Sequence, residues 1–361
     1  MATNGELTLS IIGLRHLHPR SYMPLFTSVP GVRPVAVVEG DEGLRSAFAR
    51  DFGVAAYERL EPMLERERPA LAAIFLPHDE CPAAAEACAR SGAHLMVEKP
   101  MASTSQGAER IVAAARDAGV VLTTGYCWRM HPAAIELRRL VQSGALGKVI
   151  AAEGRCAAGR LQRYIDGRAE WILSRSRCGG GPMYNLGVHW IDLLRWVLGD
   201  EVVEVSGRNV KVNARYDIED NSFAHLRFHG GAVAALDISY TVPDSFPHGR
   251  DLYIAVRGTL GVVSWAPAYE GARDVLEVAS DHPDFAGSPR RRIELELEPL
   301  KGYSGFMGAR YVRDFVEAVR QRRAPAVSGD DGIAALRIVE AVYRSAEEKR
   351  WIDVAPAGRR G

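Results

Sequence analysis

Between Leu7 and Tyr126 short apolar runs alternate with helical runs, and this alternation leaves few folds open to the chain. The apolar runs are Leu7–Ile12, Pro34–Val38, Leu71–Leu76, His94–Val97 and Val120–Tyr126, each short enough for a buried strand. Helical runs separate them: a stretch through Ser28, then Leu44–Phe52, Glu58–Arg68, Cys81–Ser91 and Ser105–Ala118. Strand–helix–strand units make their strands parallel neighbours, and a series of them predicts a doubly wound parallel sheet of Rossmann type. Gly53 supplies a helix stop and Ser103-Thr104-Ser105-Gln106 supplies cap candidates.

Ligands bind such sheets beyond the carboxyl ends of the strands. Glu98-Lys99-Pro100 falls there, after His94–Val97, and Pro100 cannot extend the ladder. A lysine beside a glutamate at that edge suits proton transfer or substrate orientation; a solvated Glu-Lys pair is the plainer alternative. The first turn of a dinucleotide-binding sheet is expected to be glycine-rich. Here it reads Gly13-Leu14-Arg15-His16-Leu17-His18, with Arg15 and His18 where the second and third glycines belong. A helix N-terminus still offers N–H groups and a positive dipole end to a pyrophosphate. Glu39 follows the second strand, where a carboxylate accepts from ribose hydroxyls and repels a 2′-phosphate, favouring NAD, while Arg45 weakens that preference and keeps NADP open. His16, His18, His78, Asp79 and Glu80 gather on the same sheet edge, but the His-x-His spacing specifies no third ligand and no metal is expected.

After Trp128 strand patterns dominate: Lys148–Arg155, Val202–Val212, Ser222–Phe228, Ala232–Tyr240, Leu252–Arg257, Gly261–Trp265 and Arg292–Glu298. With helices at Pro132–Ser143, Pro182–Leu198, Gly308–Gln321 and Asp331–Glu347, they predict an α+β domain with a large, mostly antiparallel open sheet. The chain is thus divided into residues 1–128, a dinucleotide-binding domain, and 129–361, a substrate-binding and oligomerisation domain. On Pro182–Leu198, Asn185, His189 and Asp192 are spaced i, i+4, i+7 and share a face. His189 suits proton transfer near neutral pH, with Asp192 placed to orient it; a structural His-Asp contact is the alternative. The loop Gly159–Arg177 carries Arg160, Arg163 and Arg168, which would suit an acidic substrate or mere solubility.

Formal net charge is +0, which points away from nucleic acid and from acidic membrane surfaces. The five cysteines, at 81, 88, 127, 156 and 178, include no C-x-x-C pair, and an odd number argues against a disulfide framework. Met1–Ser10 has no secretory features and no apolar run reaches the length of about 18 residues that a membrane helix needs, so the cytoplasm is the expected compartment.

Three segments together resemble the glucose–fructose oxidoreductase / inositol dehydrogenase (Gfo/Idh/MocA) family over nearly the whole chain: Val97-Glu98-Lys99-Pro100, Gly144-Ala145-Leu146-Gly147, and Gly179–Asp192 read as Gly-Gly-Gly-Pro-x-x-Asn-x-Gly-x-His-x-x-Asp. The resemblance implies a nicotinamide cofactor in the first domain and a second domain whose open sheet serves the substrate. It makes Lys99 the catalytic lysine, often before a cis proline, and His189 the base for a sugar or polyol hydroxyl. It sets Trp171 and Arg129 near the nicotinamide and implies a homodimer or homotetramer. Two departures stand out: the incomplete glycine turn, and Asn185 where the family usually has aspartate. An amide can orient a hydroxyl but cannot carry a proton.

The catalytic set is therefore Lys99, His189, Asn185 and Asp192. The cofactor set is Gly13, Leu14, Arg15, His16, Glu39, Leu76, Pro77, Glu98, Lys99, Arg129 and Trp171. The expected activity is hydride transfer between NAD and a hydroxyl carbon of a sugar, polyol or related cyclic hydroxy compound. A cofactor-assisted elimination or glycoside cleavage without net redox change, and a redox-inactive binding protein, are the alternatives.

Overall fold

The first sheet is built by β1 (Leu7–Ile12), α1 (Pro19–Thr27), β2 (Val32–Val38), α2 (Glu42–Phe52), β3 (Ala55–Tyr57), α3 (Leu60–Glu67), β4 (Leu71–Ile74), α4 (Cys81–Arg90), β5 (His94–Val97), α5 (Ser105–Asp117) and β6 (Leu122–Thr124). In this computed structural model, which describes residues 5–243, 245–268 and 273–355, all six strands are parallel and ordered β3-β2-β1-β4-β5-β6. That is the doubly wound order, with its switch point between β1 and β4. The central strands are buried on both faces, which is why they read as continuous apolar runs. The edge strand β3 was not foreseen, because Ala55-Ala56-Tyr57 has neither the length nor the branched residues of a strand signal.

The chain continues with α6 (Pro132–Gln142), β7 (Val149–Ala158), α7 (Leu161–Asp166), α8 (Arg175–Cys178), α9 (Val188–Leu198), β8 (Val202–Val210), β9 (Asn221–Phe228), β10 (Val233–Ser239), β11 (Arg250–Gly258), β12 (Gly261–Trp265), β13 (Arg273–Ser280), β14 (Arg290–Glu296), α10 (Gly305–Gln321), α11 (Gly329–Glu348) and β15 (Ile352–Asp353). Nine of its strands form the second sheet, ordered β14-β13-β12-β11-β7-β10-β9-β8-β15. Every neighbouring pair is antiparallel except β7 and β10.

The residues fall into two compact units. One contains residues 1–127, 164–179 and 300–333; the other contains 128–163, 180–299 and 334–361. In the first, the returning segment 300–333 packs on the parallel sheet. Thr123 Oγ1 donates to the Val327 carbonyl at 2.8 Å, and Gly329 leaves no room for a side chain against Leu122 and Val112.

Strand β13 was missed for a physical reason. Its inward positions are Asp274, Leu276, Val278 and Ser280, so half of the buried face is polar and the apolar alternation is broken. Asp274 Oδ1 accepts there from the Ala268 N–H at 2.7 Å, and Oδ2 lies 2.8 Å from His131 Nε2. The short β15 was likewise unforeseen. The expected helix Pro182–Leu198 is interrupted: Met183–Gly187 forms a π turn before α9 begins. Such turns recur at functional sites.

Within the second unit α9 lies against the sheet through Trp190, whose Nε1 donates to the Tyr253 carbonyl at 2.9 Å. Gly154 on β7 faces that indole, and a methyl group there would overlap the ring. Gly154→Ala is expected to destabilise the protein by about 1–3 kcal/mol, as overpacking does. Denaturant unfolding of the variant checks this; an unchanged midpoint would mean that the α9–sheet contact is looser than described.

Candidate active site

A cavity of about 960 Å³ opens in the first unit at the carboxyl ends of β1 and β2, lined among others by Gly13, Arg15, Glu39, Leu76, Pro77 and Trp171. Gly13 turns the chain out of β1 with φ +88°, and its N–H donates to the Val38 carbonyl at 2.9 Å. A Cβ at Gly13 would sit 2.9 Å from Leu76 Cδ2 and 3.0 Å from Leu76 N, so only glycine fits. Glu39, at the end of β2, is buried and accepts from the backbone N–H groups of Leu14 at 2.7 Å and Asp41 at 2.9 Å. Leu14 therefore acts through its backbone, aiming the Glu39 carboxylate. Arg45 is held away from that carboxylate's role, its Nη1 donating to the carbonyls of Glu39 at 2.6 Å and Gly40 at 3.1 Å.

The segment 164–179 supplies the far wall. Trp171 Nε1 donates to the Arg15 carbonyl at 2.5 Å, and Arg177 pairs with Asp79, Nε to Oδ1 at 3.0 Å, and with Glu80. Arg168 lines the same cavity. The Leu44 N–H holds the Asp41 carboxyl below the usual range, helped by Arg168 and Arg15. In sequence Arg168 is a loop residue suited to an acidic substrate or to solubility, and its place on this cavity follows only from the chain's return.

His18 stands at the third glycine position of the motif, and its ring packs against that of His16. The two imidazoles meet edge to face at 4.4 Å, and His18 lies 4.0 Å from the Tyr303 ring. Burial, then His18, push His16 well below its ordinary value, leaving a neutral ring. His18 Nδ1 stands 3.2 Å from Glu98 Oε2, and Glu98 Oε1 accepts from the Lys99 N–H at 3.0 Å. Glu98 and Lys99 are only 2% and 3% exposed, so the solvated-pair alternative does not hold. The Lys99–Pro100 bond is cis. Gly125, which sequence reasoning passed over, makes room for both: a Cβ there would lie 3.0 Å from Glu98 Oε1 and 3.2 Å from Lys99 Cγ. Its one signal was an isolated glycine at a strand end.

In the second unit, Arg129 Nε donates to Asp192 Oδ2 at 2.8 Å and Arg129 Nη2 to Asp192 Oδ1 at 2.5 Å, in a buried bidentate pair. Sequence analysis grouped Arg129 with the cofactor and Asp192 with His189; the structure joins the two to each other. His189 stands in the first turn of α9 and Asn185 in the π turn, so the regular helical period does not run from one to the other. Of the three glycines before them, Gly179 turns the chain with φ +101° and the other two are packing residues. Side chains at Gly180 or Gly181 would collide with Tyr343 and Glu219, whose hydroxyl and carboxylate bond each other while Gly181 N–H donates to Tyr343 Oη at 2.8 Å.

The cavity suits a dinucleotide. It lies at the switch point of a doubly wound sheet, its volume is that of a cofactor site, and the Glu39 carboxylate keeps acceptor capacity beyond its two N–H partners. Glu39 and the Gly13 turn would hold the adenosine half, and Lys99 lies at the end of β5 on the same sheet edge. Fold and site together define a nicotinamide-dependent oxidoreductase.

The comparisons with known proteins agree. Residues 7–126 match the model of an oxidoreductase family with an NAD-binding Rossmann fold, and residues 138–354 match that family's C-terminal α/β domain. The chain belongs to the Gfo/Idh/MocA family of NAD(P)-dependent oxidoreductases. It is 28% identical over 261 residues to 1,5-anhydro-D-fructose reductase of Ensifer adhaerens, covering 72% of each chain. It is 28% identical over 279 residues to myo-inositol 2-dehydrogenase of Thermotoga maritima, covering 74% of each. The crystal structure of aldose-aldose oxidoreductase from Caulobacter crescentus complexed with glycerol superposes with a TM-score of 0.81 at 27% identity, covering 96% of this chain and 99% of that one.

His78 packs behind the cavity-lining Trp171, edge-on to it at 4.7 Å, with Nδ1 3.1 Å from the Cys178 carbonyl. Burial lowers it from 6.5 to about 4. As pH falls below 6.5 the unfolded chain takes up a proton that the folded chain refuses until about 4, so stability is lost across that window. The loss is on the order of 3 kcal/mol at its full extent. Unfolding curves at several pH values should show it in the parent and a shallower acid dependence in His78→Asn; identical slopes would show that His78 protonates freely in the folded state.

Proposed function

We propose that this enzyme moves hydride between NAD and a hydroxyl carbon of a sugar or cyclic polyol. The observation that carries the reading is the buried Glu98-Lys99 pair at the end of β5, on the sheet edge where the Glu39 cavity opens. The relatives support the substrate class, being a reductase of an anhydro sugar and a dehydrogenase of an inositol. When bound, NAD supplies the hydride acceptor or donor. Lys99 orients and polarises the reacting hydroxyl, and Glu98 fixes the backbone of Lys99. His189 serves as the base for the hydroxyl proton and Asn185 as a hydrogen-bonding orienter. No helix among the described residues is long and apolar enough to cross a membrane.

Lys99→Ala is expected to lower turnover by several orders of magnitude on any substrate found among sugars and inositols, while NAD affinity stays within about tenfold. Steady-state kinetics and calorimetric titration with NAD and NADP check this. Near-parent turnover in the variant would make the lysine structural. Tighter binding of NADP than NAD would remove the role given to Glu39.

The uncovered face of the second sheet supports assembly of two or four copies. It carries exposed Phe223, Val233 and Val262 among ion pairs such as Arg155–Asp251 at 2.7 Å and Arg227–Glu204 at 2.7 Å. Light scattering should give at least a dimer, and Phe223→Glu should shift it toward monomer; a parent monomer at micromolar concentration would end this reading.

A further inference from the structure

We propose that His16, His18 and Glu98 bind a divalent transition-metal ion of the zinc class inside the first unit. The sequence offers two imidazoles at His-x-His spacing and no third ligand. The fold supplies it, because the turn after β1 meets the end of β5 and brings one donor atom from each residue to within 4.8 Å of the others. Two imidazoles and a carboxylate form a recurrent three-ligand zinc set that leaves a fourth position open.

The spacing has room for an ion as well as for a hydrogen bond. His18 Nδ1 and Glu98 Oε2 are 3.2 Å apart. A charge-assisted hydrogen bond would draw them to about 2.7–2.9 Å. Two ligands sharing a tetrahedral ion at about 2.1 Å stand roughly 3.4 Å apart. All three side chains are buried, with relative exposures of 7%, 9% and 2%, so an ion held there would meet its ligands out of water, where its attraction to the carboxylate is strong. The other candidate ligands on this edge are committed elsewhere. His78 faces the Cys178 carbonyl, and Asp79 and Glu80 pair with Arg177. The ion would fix the end of β5, and with it the Lys99 backbone that donates to Glu98.

Metal uptake tests this without any assay of turnover. The full-length protein, dialysed against a chelator, is titrated with Zn²⁺ and separately with Co²⁺. The expected result is one ion per chain, four-coordinate visible bands with Co²⁺, and a melting temperature that rises with Zn²⁺ concentration. His16→Ala, His18→Ala and the near-isosteric Glu98→Gln should each abolish uptake, with circular dichroism confirming the fold. His229→Ala, an exposed histidine of the second unit, should leave it intact. No uptake by the parent at micromolar metal overturns the proposal whether or not the variants fold. So does uptake that persists in Glu98→Gln, or that is lost in His229→Ala.

Discussion

Burying the Glu98 carboxylate at the end of a parallel strand constrains everything around it. Such a group is costly unless several partners meet it. Here the next residue's N–H, the His18 ring and the absent side chain of Gly125 each make a separate accommodation. Those accommodations come from β5, the turn after β1 and the end of β6. Three strands must therefore end in register before Lys99 can be presented. The histidine at the third glycine position then has a physical explanation. His16 and His18 fill the volume next to this carboxylate, and only the first glycine, pressed against Leu76, has no substitute.

Much of the first sheet was legible because burial on both faces writes itself as unbroken apolar runs, as in Leu71–Ile74 and His94–Val97. Glu98, Lys99 and Glu39 were legible because strand ends in such sheets have a known use. What stayed hidden was hidden by specific chemistry. Strand β13 turns Asp274 and Ser280 inward, where the Ala268 N–H and the Ala145 carbonyl bond them, and a polar inward face looks like a loop in sequence. The π turn at Met183–Gly187 depends on how the chain packs, through Gly187 against Met183 and Ile238, and no residue type announces it. Trp171 was found only by family likeness, and Arg168 on the cavity was not found at all, since nothing local ties either to the first turn.

Asp192 shows how a spacing argument can be right about geometry and incomplete about use. The residue does face inward from α9, as its helical position requires, but its two oxygens meet the guanidinium of Arg129 in the geometry that makes Arg–carboxylate pairs specific. The buried bidentate pair serves the architecture of the second unit whatever else the two residues serve. In the same unit Trp128, His131, Trp190 and Trp265 form an aromatic cluster, Trp128 preceding Arg129 in the chain.

The first unit is assembled from three separated stretches of chain, and the polypeptide passes between the two units five times. Neither unit can therefore exist as an uninterrupted gene fragment. A polypeptide ending after β6 would lack Trp171, the Arg177 tether on the loop after β4, and the α10 surface over α1. During synthesis, the parallel sheet emerges from the ribosome long before residues 300–333 that finish covering it. Completion of the nucleotide-binding half must wait for almost the last helix, which ties its folding to contacts distant in sequence and makes it intrinsically slow.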